Sequence, residues 1–336
     1  MSELLERAQC LADEILFPAA LATDTAARIP EHQLQQLAKA GLFAVFGPRE
    51  LGGFAITPAV FAQLVEALAS GCLATTFVWI QHHGAVQALA AAPDTPLARG
   101  WLAELCAGRR RTGLAIGGLR PGPAQLRARP VSGGWLLDGG VPWVTGWQLV
   151  DALLTHALSP EQERLSLLLD AAPADTLTAT PQRLVATNAS CTVELRFRSH
   201  FVARERLVAS EPYTPLPAHD GGGRSNGSLA LGIARRCAAL IGPSPLDGEL
   251  RARRAQLDAA DELGLARARA AAVELAGRAS AALIAHTGSR AIKSGEHAER
   301  LAREALFLLV FGSRPAIRTA LLETLGVLGE TPPARR

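Results

Sequence analysis

Leu4, Leu5, Ala8, Leu11, Ala12 and Ile15 recur at i, i+3, i+4 and i+7, the single apolar stripe of a helix that packs on one face. Pro18 is expected to end or kink that helix, because proline lacks the amide hydrogen the helix ladder needs. Pro30 opens a second helix over Glu31 to Ala40, in the first-turn position proline favours, and Gly41 closes it. Gly47-Pro48 and Gly52-Gly53 make a loop before a third amphipathic helix. Thr75 to Leu89 then reads as a buried helix that carries His82 and His83. Adjacent helical positions point about 100° apart, so only one of the two histidines can face a given cleft.

From Arg111 the period changes to alternation, in the runs TGLAIGG, GWLLDGG, VPWVTGW, DALLTHAL, RLSLLLDA, CTVELRF and HFVARERLV. Short runs parted by Gly, Pro and polar turns make an antiparallel β-domain rather than βαβ units. Beyond Pro217 the chain is helical again. The loop HDGGGRSNG is a linker and not a phosphate loop, since no Gly-Lys-Ser/Thr follows it. It leads into a helix over Ser228 to Leu240 with Ser225 or Asn226 as N-cap, and then into one long helix from Gly248 to Gly288. Its alanine-rich faces suit close helix packing in a bundle. The expected class is α+β and multidomain: an N-terminal α-helical domain over residues 1–111, a middle antiparallel β-domain over 112–216, and a C-terminal helical bundle over 217–336.

Composition narrows the classes of function. With 336 residues, 49% hydrophobic and 19% charged, the chain can bury a large core. A net charge of +3, with basic residues scattered among acidic ones, gives no footprint for nucleic acid. The five cysteines, Cys10, Cys72, Cys106, Cys191 and Cys237, are far apart and show no C-x-x-C spacing, which reads as buried thiols in a reducing compartment and offers no metal site. The first residues carry Glu3, Glu6 and Asp13 where a signal peptide needs a basic start, and no apolar run approaches the ~20 residues that cross a bilayer. A cytoplasmic protein with no membrane contact is expected.

The candidate chemistry gathers in one block, GGWLLDGGVPWVTGW, over Gly133 to Trp147. Bulky residues alternate with small or polar ones across Gly139-Gly140, the pattern of a half-buried hairpin with a positive-φ corner. The block resembles the acyl-CoA dehydrogenase motif dGWxLnGxKxWiTg, in which a strand lays its Trp against the flavin ring and its Thr offers hydrogen bonds to the flavin's redox edge. Trp143 and Thr145 hold those positions. Two further stretches resemble the same family in the same order. GLFAVFGPRELGG resembles GLxgixvPexyGG, and Ser190 to Val208 resembles sxtxxlxFddvxVPxexll, with Thr192, Leu195 and Phe197 in step.

The departures matter as much. Where the family has aLTEpxxGSD, this chain reads from Ala115 to Gly122 as AIGGLRPG, which removes the flavin-binding Thr and leaves the backbone amides of Ile116 and Gly117 as the contacts the resemblance implies. The RxxFG motif is absent. Glu299 to Gly326 resembles ERxxRDaxixxiYEGTsxIqrxxiaxxLLG, with Arg300, Arg303, Gly312, Ile317 and Gly326 in step; the family's general base is the Glu of YEGT, and Phe311 is read at its position. No carboxylate stands at Asn226-Gly227-Ser228-Leu229, where some members carry the base instead. In flavin monooxygenases of this fold a histidine on the helix matching Thr75 to Leu89 serves the chemistry, so His82 and His83 are carried forward as candidates.

The resemblance therefore implies an FAD-dependent oxidoreductase that binds FAD between the β-domain and the C-terminal helices. It would act on an acyl thioester of CoA or of acyl-carrier protein, or on a related small substrate, as a homodimer or homotetramer and without the usual Glu. The alternatives are a flavin-dependent monooxygenase of the same fold and a non-catalytic scaffold.

Overall fold

The computed structural model describes residues 2–54, 56–92, 94–119, 125–215, 223–312 and 314–328. The helices are α1 Ser2–Cys10, α2 Phe17–Thr25, α3 Glu31–Lys39, α4 Pro58–Gly71, α5 Leu73–Ala91 and α6 Pro96–Cys106, and after the strands α7 Arg224–Ile241, α8 Leu246–Ala259, α9 Leu265–Thr287, α10 His297–Val310 and α11 Pro315–Thr324. The strands are β1 Thr112–Ala115, β2 Leu126–Val131, β3 Gly134–Val144, β4 Ala152–Leu158, β5 Glu163–Asp170, β6 Leu177–Pro181, β7 Val193–Ala203 and β8 Leu207–Pro212. The order of helices, sheet and helices is the one the periodicity predicts. The chain folds as two compact units, one of Thr25–Ile56 and Ala74–Leu216, the other of Ser2–Asp24, Thr57–Leu73 and Pro217–Arg336.

The first unit is built on one sheet, in the order β6-β7-β3-β2-β4-β5-β8, with β1 beside β4. The pairs are antiparallel except β1 with β4 and the single Arg127–Leu158 pairing of β2 with β4. Strand β7 shows why the alternation was readable: Val193, Leu195 and Phe197 are buried while Arg196 and Arg198 are exposed. Strand β4 is buried on both faces. Leu153 and Ala157 join a core with Leu137, Val141, Val144 and Phe197. On its other side Ala152 and Leu154 pack with Val86 and Leu89 of α5 and Trp101 and Leu105 of α6.

The second unit is helical, and small residues set its spacing. A Cβ at Gly71 of α4 would lie 2.7 Å from the Ala12 carbonyl, and one at Gly232 of α7 would lie 2.7 Å from that of Glu66. Buried and half-buried charges in it form the pairs Arg254 with Glu66, Arg300 with Glu304 at 2.5 Å, and Arg303 with Asp24 at 2.5 Å. Burial still pushes the Glu304 carboxyl above its usual range, against the pull of Arg300.

Four local expectations are corrected. Pro18 does not end its helix; a π-helical turn over Leu11–Leu16 precedes it, and α2 continues to Thr25. The stretch Gly248 to Gly288 is two helices, parted where the Asp261 carboxylate accepts from the Gly264 amide at 2.7 Å and offers the backbone a turn in place of the helix ladder. Helix α7 begins at Arg224 with Gly223 at its N-cap and no side-chain cap, so Ser225 and Asn226 lie inside its first turn. Gly139-Gly140 is not a hairpin corner. Strand β3 runs through it where its register against β7 shifts by one residue, and the chain reverses at Gly133 instead, with φ 80°. Arg120, Pro121 and Gly122 and the glycine run from His219 to Gly222 lie outside the described residues.

Candidate functional site

The end of β3 is shaped by two irregularities. At Gly139, with φ 127°, an added Cβ would lie 1.8 Å from the Gln125 carbonyl, so only glycine fits. A second shift of register against β7 falls between Val141 and Val144. Pro142 is tolerated there because a bulge needs no ladder bond from its nitrogen. Trp143 follows in the left-handed region, φ 59°, and its side chain is 53% exposed. A bulky residue in that conformation is strained by about 1–2 kcal/mol. The bulge turns out of the core a side chain that strict alternation would treat otherwise.

The structure brings the other candidates of this unit to the same place. A Cβ at Gly117 would lie 2.8 Å from the Pro142 carbonyl, and one at Gly113 would lie 2.8 Å from that of Thr145, so the chain around β1 runs backbone to backbone along the end of β3. Ile116 is 39% exposed, an apolar neighbour to the Trp143 segment, while Gly117 is buried. Thr145 is buried at 3% exposure, and its hydroxyl lies 3.2 Å from that of Thr192, which in turn lies 2.9 Å from that of Ser190. The sequence placed Thr192 in the alternation but gave no sign that its hydroxyl meets Thr145. Ser190 was not singled out at all.

The two histidines lie in the interior. His82 Nδ1 accepts from the Thr112 amide at 3.2 Å, which puts the ring proton on Nε2. Burial pushes its pKa down to about 3, with Arg111 adding to the fall, while the Phe43 and Leu105 carbonyls pull the other way. His83 is held well below the ordinary value, by burial first and by His82 second. Its ring meets Trp79 edge-on at 4.6 Å and Phe46 at 5.7 Å. Both are neutral, enclosed side chains at neutral pH.

In the second unit, Phe311 is the C-cap of α10 and stacks on Phe307 at 5.8 Å. Helix α10 runs unbroken from His297 to Val310, so nothing can be inserted between Arg303 and its end. Counting from Arg303 to Ile317 without a gap corrects the reading of Phe311 by one residue. Phe311 falls on the motif's Tyr and Gly312 on its Glu. The conclusion that no carboxylate stands there is unchanged. Gly312 has φ 56°, and a Cβ on it would lie 3.7 Å from Arg269 Nη2 and from Asn226 Nδ2. Arg269 is itself buried, which pushes its pKa down to about 10.

Residues 2–109 match the acyl-CoA dehydrogenase N-terminal domain family. Over 157 residues the chain is 24% identical to human mitochondrial short-chain specific acyl-CoA dehydrogenase, a stretch that spans 45% of this chain and 38% of that relative. Butyryl-CoA dehydrogenase from Megasphaera elsdenii has the same fold, with a TM-score of 0.80 over 98% of both chains at 16% identity. The chain has the acyl-CoA dehydrogenase fold, and its first third matches that family's N-terminal domain. The FAD complex of PigA also shares the fold, with a TM-score of 0.76 over 97% of both chains at 16% identity. The half-exposed Trp143, the Ile116 side chain and the close glycine backbone together form an apolar corner. Among the chain's described residues no helix is long and apolar enough to cross a membrane. None of its clusters of His, Cys, Asp or Glu among those residues is placed to hold a metal.

Proposed function

We propose that this protein is an FAD-dependent oxidoreductase of the acyl-CoA dehydrogenase type, cytoplasmic and homo-oligomeric, that acts on an acyl thioester of CoA or acyl-carrier protein or on a related small substrate. The observation that carries the reading is Trp143, a large aromatic side chain held outward at a strained corner. FAD when bound supplies the acceptor for two electrons from the substrate. Trp143 would give the isoalloxazine an apolar face, worth about 1–3 kcal/mol of stacking. Ile116 and Gly117 would close its near edge, and the Thr145 hydroxyl would hydrogen-bond it. Exposed Leu306 and Val310, one turn apart on α10, and Ile292 supply apolar surface for assembly between copies.

The pocket would not abstract an α-proton in the usual way. Gly312 has no side chain, and its surroundings here are an arginine and an asparagine, which donate rather than take protons. A positioned base contributes about 10²–10⁴-fold in rate, and that factor is missing. The same observation supports a second reading, a flavin-dependent monooxygenase, whose reaction needs no such base. Anaerobic mixing with a chain-length series of saturated acyl-CoAs tests the first reading by flavin bleaching. Oxygen uptake with reductase-supplied electrons tests the second. Purified protein that takes up no flavin would defeat both and leave a scaffold.

A further inference from the structure

Ser190, Thr192 and Thr145 form a line of three buried hydroxyls, 0%, 4% and 3% exposed, with O···O separations of 2.9 and 3.2 Å. Two links join three hydroxyls, so two of the three protons are used and one is left over. None of the three makes another side-chain hydrogen bond among the described residues. All three are buried, so the leftover proton is unsatisfied wherever it lies within the protein, and such a donor is costly. Only at Thr145, two residues from Trp143, would the flavin of the proposed seat supply an acceptor. The backbone holds Ser190 and Thr192 in place. The Gly146 amide donates to the Ser190 carbonyl at 2.9 Å, and the Gln182 amide donates to the Thr192 carbonyl at 2.9 Å. The short turn Asn188–Ser190 is flanked by Thr187 and Cys191, both in the left-handed region, φ 61° and 50°. Strain of this kind persists only where the surroundings over-determine it.

We infer that Thr192 and Ser190 are positioning residues: they run their protons outward and fix the Thr145 hydroxyl as a donor toward the flavin ring. The inference rests on the seat at Trp143 proposed above. Hydrogen bonds in a chain polarise one another, so the terminal donor is stronger than a lone threonine would be. Ser190 acts only through Thr192, and Thr192 only through Thr145.

The test uses the full chain and FAD. Thr192→Val keeps the shape and removes the middle hydroxyl; Thr192→Ser keeps the hydroxyl. Thr192→Val is expected to bind FAD roughly three- to tenfold more weakly, the worth of one hydrogen bond, and to shift the flavin's midpoint potential, with Thr192→Ser restoring both. In a Thr145→Val background the same change should add nothing, because its effect passes through that hydroxyl. Thermal unfolding of each apo variant checks the fold, and if Thr192→Val does not fold, Ser190→Ala carries the same expectation with a smaller shift. Wild-type protein that binds no FAD sinks the seat and this inference together. Wild-type protein that binds FAD, beside Thr192→Val with unchanged affinity and potential or with an undiminished effect in the Thr145→Val background, overturns the hydroxyl line alone.

Discussion

The end of β3 and the end of α10 are both chain corners that carry an aromatic residue beside a glycine, and they have taken opposite courses. At the first, Trp143 stands in a strained backbone conformation with its ring turned outward, on the bulge between Val141 and Val144. At the second, Phe311 folds back on Phe307, and Gly312 leaves a place with no side chain beside a buried arginine. Strain is retained at one corner, and no proton-accepting side chain stands at the other. An outward aromatic surface depends on backbone geometry, whereas a general base depends on one side chain.

The sharpest way to break that comparison is to return the missing group. Gly312→Glu is expected to raise the rate of flavin bleaching by saturated acyl-CoAs by ~10²-fold or more over a nearly inert wild type. Phe311→Glu, one residue off the motif's register, should gain far less. Stopped-flow absorbance decides; equal gains at both positions would contradict the register argued from the unbroken α10. The new carboxylate would stand beside Arg269, which favours its charged form.

The platform corner is tested by its glycine. Gly139→Ala places a methyl 1.8 Å from a carbonyl oxygen on a backbone with φ 127°. It should lose about 3–5 kcal/mol of stability in denaturant titration. A loss below about 1 kcal/mol would mean that the close approach of Gly139 to the Gln125 carbonyl is soft.

The histidines give a test by pH. His82, at about 3 in the folded protein, and His83, also lowered, both stand near the ordinary value of about 6.5 when unfolded. Their folded values are depressed, so the unfolded chain binds protons first as the pH falls. The stability they contribute is complete above about pH 6.5 and is lost progressively below it, at up to about 1.4 kcal/mol per pH unit for each histidine. Denaturant midpoints measured between about pH 7 and about pH 5 should fall on the acid side, and less so in His82→Gln. A flat profile would mean that the rings take up protons as readily in the folded state as in the unfolded one, and would restore them as candidate acid-base groups. The smallest expected effect is the relief of strain at the platform. Trp143→Gly should stabilise the FAD-free protein by about 1 kcal/mol, since glycine adopts φ 59° without strain.

Much of this was legible from residues alone. Periods of 3.6 and 2 separated helices from sheet because β7 and the first helices each have one wet face. The motif around Trp143 survived because it is contiguous. What escaped was irregular. The bulge at Gly139 and the left-handed Trp143 break the period-2 rule, so the glycine pair was read as a corner. The π-turn before Pro18 gave no sign in composition. The hydroxyl line joins residues 47 apart in sequence, Thr145 and Thr192, which no local pattern connects.

Titration of the apo protein with FAD, in wild type and Trp143→Ala, tests the central claim most directly. The wild type is expected to bind one FAD per chain, and Trp143→Ala to bind it roughly 5- to 100-fold more weakly, the loss of one stacking contact. Stoichiometric flavin in Trp143→Ala at wild-type affinity would contradict the account.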